Sequence, residues 1–310
     1  MTEIATTFVH SMDIKDGFIE PFKENVTPLS VGIQSRSILD KDASLEGAIS
    51  TFRVEAYSNS TTDTTILLPG IVYHTATTFE HQIPELASLK QTVVGVNYSD
   101  NLYSQALLTS QIVDFIKNPE NKDREITLLG VSLGAGTIID LLGNADPEAV
   151  KNVRRVIMLG AIYSDKDVLH GAIGKAFRLA NKMTPDGVVK RFVPLAKRLF
   201  RTDPMYALSN GAGIRDVRSQ VLNVSNESLA NRTKALGETK AIEDLGTIEG
   251  IPALFGWWEE DYASPEARQK LKDLFLLKAE FSIDGHHGWT SSNANQINAA
   301  ISGFFSHQNA

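Results

Sequence analysis

The stretch Gly130-Val131-Ser132-Leu133-Gly134 sets one hydroxyl between two glycines, with the apolar run EITLLGV before it and LGAGTIIDLL after it. A serine is a weak nucleophile until a base and preorganised oxyanion donors surround it. A G-x-S-x-G turn joining a strand to a helix supplies part of that arrangement, because it lifts the serine onto an exposed, strained corner known as a nucleophile elbow. The glycines have a steric purpose: side chains two positions either side of Ser132 would collide across so tight a turn. The helix that starts after the serine aims its first N–H groups at the same point. The backbone N–H of Leu133 is therefore a candidate oxyanion donor.

Other chemistries find less support. The chain has no cysteine, which excludes disulfides, thiolate metal sites and a cysteine nucleophile. The adjacent His286 and His287 invite a zinc reading, but no HExxH and no second histidine cluster supplies the remaining ligands, so no metal is expected. LSNGAGIRD, residues 208–216, is glycine-rich yet lacks G-x-G-x-x-G and a preceding strand, so it reads as a turn rather than a nucleotide site, and no cofactor is expected. With a formal net charge of −7 over 310 residues, the chain lacks the basic surplus that general nucleic-acid binding requires. Its 42% hydrophobic and 22% charged residues are those of a folded globular enzyme rather than a disordered chain.

The elements that must position the serine can be read from the pattern. Residues 1–30 show no sustained period and read as an irregular arm; residues 1–50 form an arm with a first strand. Val31 to Ile38 and Phe52 to Ala56 alternate in a hairpin-like pair. Short apolar runs then recur at 64–70, 91–99, 125–132, 153–161, 251–258 and 276–285, separated by helical patterns at 79–90, 103–117, 133–142, 265–275 and 293–305. That rhythm implies a mostly parallel central sheet with helices on both faces. One gap breaks it. About ninety residues separate Ala161 from Ile251, where a short connection would suffice, and segments so long are usually functional lids or subdomains. Residues 163–244 are expected to form a helical cap inserted between the sixth and seventh strands counted from Val31, upon a core of residues 51–162 and 245–310.

With the serine on such a turn in such a sheet, the chain from Phe52 onward resembles the α/β-hydrolase fold superfamily, in its cap-containing serine esterase and lipase-like branch. The resemblance implies a triad in the chain order serine, acid, histidine, so the acid and base lie downstream of Ser132. Asp261, in WWEEDYASPE, matches the acid by its spacing to Pro265. Glu259 and Glu260 compete with it, and Asp165 occupies an alternative acid position used by some members. Asp140, on the helix after the elbow, reads as a capping or solvent-facing residue. IDGHHGW matches the loop of the base, where His286 directly follows Gly285 and is the assignment made here, with His287 as the alternative. The second oxyanion donor is implied in PGIVYHTATTF: Pro69-Gly70 stands where the family carries His-Gly, which points to the backbone N–H of Ile71, with Val72 or Tyr73 taking its place in a longer loop. Tyr73 and His74 would line the acyl pocket, with Trp257 and Trp258 as further walls.

These assignments imply hydrolysis of carboxylic esters or thioesters of small to medium apolar acyl groups through an acyl-enzyme. Acyl transfer, peptidase, perhydrolase or carbon–carbon cleavage remain alternatives on the same machinery, as does a non-catalytic ligand clamp. The expected partner is a small-molecule ester. GVVKRFVPLAKRLFR, residues 187–201, is amphipathic and basic, but Pro194 interrupts it, so stable membrane insertion is not expected. The N-terminus lacks the charge and apolar pattern of a signal peptide, which makes a cytoplasmic location the expectation. The oligomeric state is left open.

Overall fold

A computed structural model describes residues 14–15, 18–19, 53–58, 63–71, 75–98, 105–118, 121, 123–164, 231–232, 242–287 and 293–307. Two short strands, β1 (Ile14–Lys15) and β2 (Phe18–Ile19), pair antiparallel by themselves. The main sheet has seven strands: β3 (Arg53–Ser58), β4 (Asp63–Leu68), β5 (Gln91–Asn97), β6 (Glu125–Val131), β7 (Val153–Leu159), β8 (Ala253–Glu260) and β9 (Lys278–His286). Their spatial order is β3-β5-β4-β6-β7-β8-β9. All neighbours are parallel except the edge strand β3, which runs antiparallel to β5. The six apolar runs of the sequence are thus the six parallel strands. Phe52 to Ala56 corresponds to β3, which pairs with β5. The segment Val31 to Ile38, proposed as its hairpin partner, lies outside the described residues, as does most of 163–244.

Helices α1 (Thr75–Thr78), α2 (Gln82–Ser88), α3 (Gln105–Lys117), α4 (Leu133–Asn144), α5 (Pro265–Asp273) and α6 (Ala294–His307) connect or follow the strands. Helix α5 shows why the chain turns where it does. Ser264 Oγ accepts a hydrogen bond from the N–H of Ala267 at 2.9 Å, and Pro265 occupies the first helical position, whose N–H would have no intrahelical partner.

Because successive strand residues point to opposite faces, each parallel strand feeds two cores. Ile66, Leu68, Leu128, Val156, Met158 and Phe255 pack on one face with α3, α4 and α5. Leu67, Leu129, Val131, Ile157, Leu159 and Leu254 pack on the other with α2 and α6. Burial on both faces explains why β6 and β7 read as near-continuous apolar runs rather than alternating ones. No helix among the described residues is long and apolar enough to cross a membrane.

Candidate active site

Ser132 sits between the last residue of β6 and the first of α4, with φ 54° and ψ −114°. A left-handed φ at a residue with a Cβ costs energy, and such strain is maintained only where the surroundings fix it. Here they do. The Ser132 N–H donates to the Leu159 carbonyl of β7 at 2.8 Å, while its own carbonyl accepts from Gly136 N at 3.1 Å and from Ile162 N at 3.4 Å. Both flanking glycines are sterically required, Gly130 by the turn itself, as read from the sequence, and Gly134 by the neighbouring strand β4. A Cβ on Gly130 would lie 2.6 Å from Ala135 N, and one on Gly134 would lie 2.1 Å from the Leu68 carbonyl oxygen. Ser132 stands at the N-cap of α4, but its side chain makes no capping hydrogen bond. The usual fate of an N-cap serine is thus declined. As the first helical residue, Leu133 has an N–H with no acceptor inside the helix.

The candidate acid and base come from the ends of the neighbouring strands β8 and β9. Asp261, immediately after β8, has a side chain 0% exposed, and its Oδ1 lies 2.7 Å from Nδ1 of His287. Its carboxylate also accepts from the N–H of Trp258 (3.3 Å, Oδ2) and of Ala263 (3.3 Å, Oδ1). Burial pushes the Asp261 pKa up. The charge of His287, its hydrogen bond, the nearby Arg268 guanidinium and the Ala263 N–H outweigh that and hold the carboxyl below its ordinary value. Arg268 also braces this loop, donating to the carbonyls of Ala263 (3.2 Å) and Trp258 (3.3 Å) while its guanidinium lies over the Trp257 ring.

The imidazole of His287 is buried between aromatic rings, with centroid distances of 5.3 Å to Trp258 and 4.8 Å to Tyr262. Its Nδ1 faces Asp261, whereas Nε2 is buried with no hydrogen-bond partner. The ring borders Gly160, where an added Cβ would lie 2.8 Å from both Cε1 and Nδ1. Gly160 directly follows Leu159, the residue that accepts from Ser132 N, so one peptide unit separates the strut of the elbow from the wall of the imidazole.

This geometry moves the candidate base from His286 to His287, the histidine that meets Asp261. β9 ends at His286, which pairs with Glu260 across a bulge: Trp258 opposes Ile283 and Glu260 opposes His286, so β9 carries one more residue than β8 between those pairs, and Gly285 within it has φ +79°. His287 is the first residue beyond the strand, in the turn, where its ring lies against Trp258 and Tyr262 instead of being committed to the β8–β9 pairing.

Among the competing acids, Glu259 is exposed and its Oε2 accepts only a long 3.5 Å hydrogen bond from Gly285 N. Asp140 ties α4 to α3, accepting from Thr109 Oγ1 at 3.2 Å, in addition to Asn144 Nδ2 at 3.0 Å. Asp165, Tyr73 and His74 lie outside the described residues. The two tryptophans expected to wall a pocket divide between the faces of the sheet. Trp257 belongs to one core, stacked on Phe255 at 5.7 Å, whereas Trp258, 0% exposed, belongs to the other and packs against the His287 ring. Ile71, half-buried, follows Pro69 and Gly70 at the end of β4, where the chain passes against the elbow. Residues that sequence reasoning missed are Tyr262, which packs on His287, Arg268, which braces the loop of Asp261, and Gly160, which lies against the His287 ring. No group of three or more His, Cys, Asp or Glu side chains suited to a metal occurs among the described residues.

No family model matches the sequence, and no curated protein matches it. Solved structures do resemble it. MenH from S. aureus aligns with a TM-score of 0.63 at 14% identity, covering 84% of this chain and 99% of its own. MGS-M2, an α/β hydrolase enzyme from a Medee basin deep-sea metagenome library, aligns at 0.62 and 16% identity, covering 83% and 94%. A thermophilic esterase from Thermogutta terrifontis aligns at 0.56 and 14%, covering 83% and 93%. Together with the parallel sheet, the helices on both its faces and the strained turn after β6, these likenesses establish that the chain adopts the α/β-hydrolase fold.

Proposed function

We propose that this protein is a serine hydrolase that cleaves carboxylic esters or thioesters of small to medium apolar acyl groups through an acyl-enzyme. The observation that carries the reading is the buried Asp261–His287 pair, whose Nε2 has no hydrogen-bond partner and whose ring lies against Gly160, the residue after the Leu159 that accepts from the strained Ser132 N–H. Ser132 Oγ attacks the carbonyl carbon as its proton passes to His287 Nε2. The N–H groups of Leu133 and Ile71 receive the oxyanion, and Asp261 stabilises the imidazolium. The imidazolium then protonates the departing alkoxide or thiolate. In the second half-reaction His287 takes a proton from water, whose oxygen attacks the acyl carbon, and returns that proton to Ser132 Oγ.

The solved structures of this fold include an enol-lactonase, a non-heme bromoperoxidase and an N-formylmaleamic acid deformylase, so likeness alone does not select among chemistries. Ester cleavage is favoured because an alkoxide or thiolate needs less help in leaving than an amine. The reading includes a helical cap formed by residues 163–244, a small-molecule substrate and a cytoplasmic setting, with no metal or cofactor in the reaction.

The test is labelling with a fluorophosphonate, read by intact mass, on the wild type and on Ser132→Ala, His286→Ala and His287→Ala. One adduct is expected on the wild type and on His286→Ala, none on Ser132→Ala. With His287→Ala, labelling should slow by several orders of magnitude, since removal of a triad histidine costs about 10⁶-fold in kcat elsewhere. Equal labelling of Ser132→Ala, or none on a folded wild type, would overturn the assignment.

A further inference from the structure

Arg232 lies in the long stretch between β7 and β8, yet it is only 3% exposed. Its Nη1 donates to the carbonyl oxygen of Ile71 at 2.6 Å, across 161 residues of sequence. Its guanidinium stacks over the Tyr98 ring, 5.2 Å from the centroid, and the Tyr98 hydroxyl donates to the Pro69 carbonyl at 2.7 Å. Burying a guanidinium is costly, and the short hydrogen bond to Ile71 and the Tyr98 ring offset part of that cost only in this arrangement.

Its consequence follows from peptide geometry. The Pro69 carbonyl belongs to the peptide joining residues 69 and 70, and the Ile71 carbonyl to the peptide joining 71 and 72. Each peptide is a rigid plane. Tyr98 fixes the first plane and Arg232 the second. Between them lies the Gly70–Ile71 peptide, which carries the Ile71 N–H and is next to a glycine, the residue that most readily permits a peptide to rotate.

We propose that Arg232, with Tyr98, is a positioning residue that locks the Ile71 N–H in its oxyanion-binding orientation, strapping the stretch between β7 and β8 to the oxyanion loop. This rests on the reading of Ile71 as an oxyanion donor. Arg232 acts through the Ile71 peptide, by removing the reorganisation that a free loop would undergo as charge develops on the substrate oxygen.

The experiment compares an oxygen ester with its thionoester in the wild type, Arg232→Lys and Tyr98→Phe, together with each variant's folded fraction and its serine adduct with a fluorophosphonate. Sulfur accepts hydrogen bonds poorly, so the thionoester gains little from an oxyanion hole. Loss of a whole donor costs about 10²- to 10³-fold in kcat, so releasing its orientation should cost about 10- to 100-fold on the oxygen ester with KM little changed. The preference for oxygen over sulfur should fall by a similar factor in Tyr98→Phe and by less in Arg232→Lys, which keeps one cationic donor. Tyr98→Phe removes a single hydroxyl and carries the test alone if the arginine variant does not fold. Both substrates falling equally, in step with folded fraction, would overturn the strap while leaving the hydrolase intact. An unchanged kcat in both variants would do the same. A folded wild type that forms no serine adduct would overturn the hydrolase reading, and the strap with it.

Discussion

Replacing Gly160 by alanine tests the position of the base without touching any group that reacts. Gly160 has φ +53°, and a Cβ there would lie 2.7 Å from Trp258 Cζ3 and 2.8 Å from His287 Cε1 and Nδ1. Neither ring can swing aside freely, since Trp258 is wholly buried and His287 is held by Asp261 and faced by Tyr262. A side chain at left-handed φ costs about 1–2 kcal/mol. Overpacking adds about 1–3 kcal/mol. Stability should therefore fall by about 2–5 kcal/mol, measurable as a shift of the urea midpoint at unchanged slope. The clash is relieved most directly by moving the imidazole. A displacement of about 1 Å lowers turnover by about 10²-fold even when every reacting residue is present. Initial rates on an ester, corrected for folded fraction, give the second number. The imidazole Nδ1 proton shared with Asp261 should be visible far downfield in the wild-type proton spectrum and shifted or lost in the variant. Full activity with an unchanged imidazole proton would refute the placement of His287 against Gly160.

Two further outcomes follow from the same geometry. Gly134→Ala would put a Cβ 2.1 Å from the Leu68 carbonyl oxygen, a backbone atom in the centre of the sheet that cannot yield; a loss of about 3 kcal/mol or more is expected in denaturant unfolding, and a near-neutral effect would contradict the packing of the elbow on β4. Asp261 has a folded-state pKa below its unfolded value, so its contribution to stability is complete above the ordinary carboxylate range, near pH 4, and fades as pH falls through the lower folded value. Removing one of the groups that lowers it, by Arg268→Met, should move acid unfolding followed by tryptophan fluorescence to higher pH; an unmoved midpoint would remove Arg268 from the account.

Features set by local sterics were legible in the sequence. The elbow needs glycine at fixed offsets from Ser132, and the apolar runs of the six parallel strands are written by burial on both faces. Asp261, the candidate acid, was picked out by its spacing to Pro265, which the turn after β8 and the start of α5 fix. The candidate base was harder to choose, because the choice between adjacent histidines depends on where β9 ends, and a bulge at Gly285 stands just before that end. Trp257 and Trp258 divide by parity: adjacent residues of β8 face opposite sides of the sheet, so one lies in each core. Arg232 could not have been found at all, since nothing in its own neighbourhood records a bond to Ile71 across 161 residues.

The seam between β7 and β8 has a consequence for how the site comes into being. Ser132 and Ile71 precede it in the chain, whereas Asp261 and His287 follow it, and the two stretches are joined by Val156–Leu159 pairing with Ala253–Gly256 and by the Gly160 N–H donating to Gly256 at 2.7 Å. On the proposed assignment neither stretch holds a nucleophile and a base together. A chain emerging from the ribosome would then display its serine well before anything could activate it, and chemistry would switch on only when the last strands dock. Two fragments divided between β7 and β8 would each be inert, and recovery of turnover on mixing them would report the docking of the two stretches, through this seam and through the packing of α6 on α2.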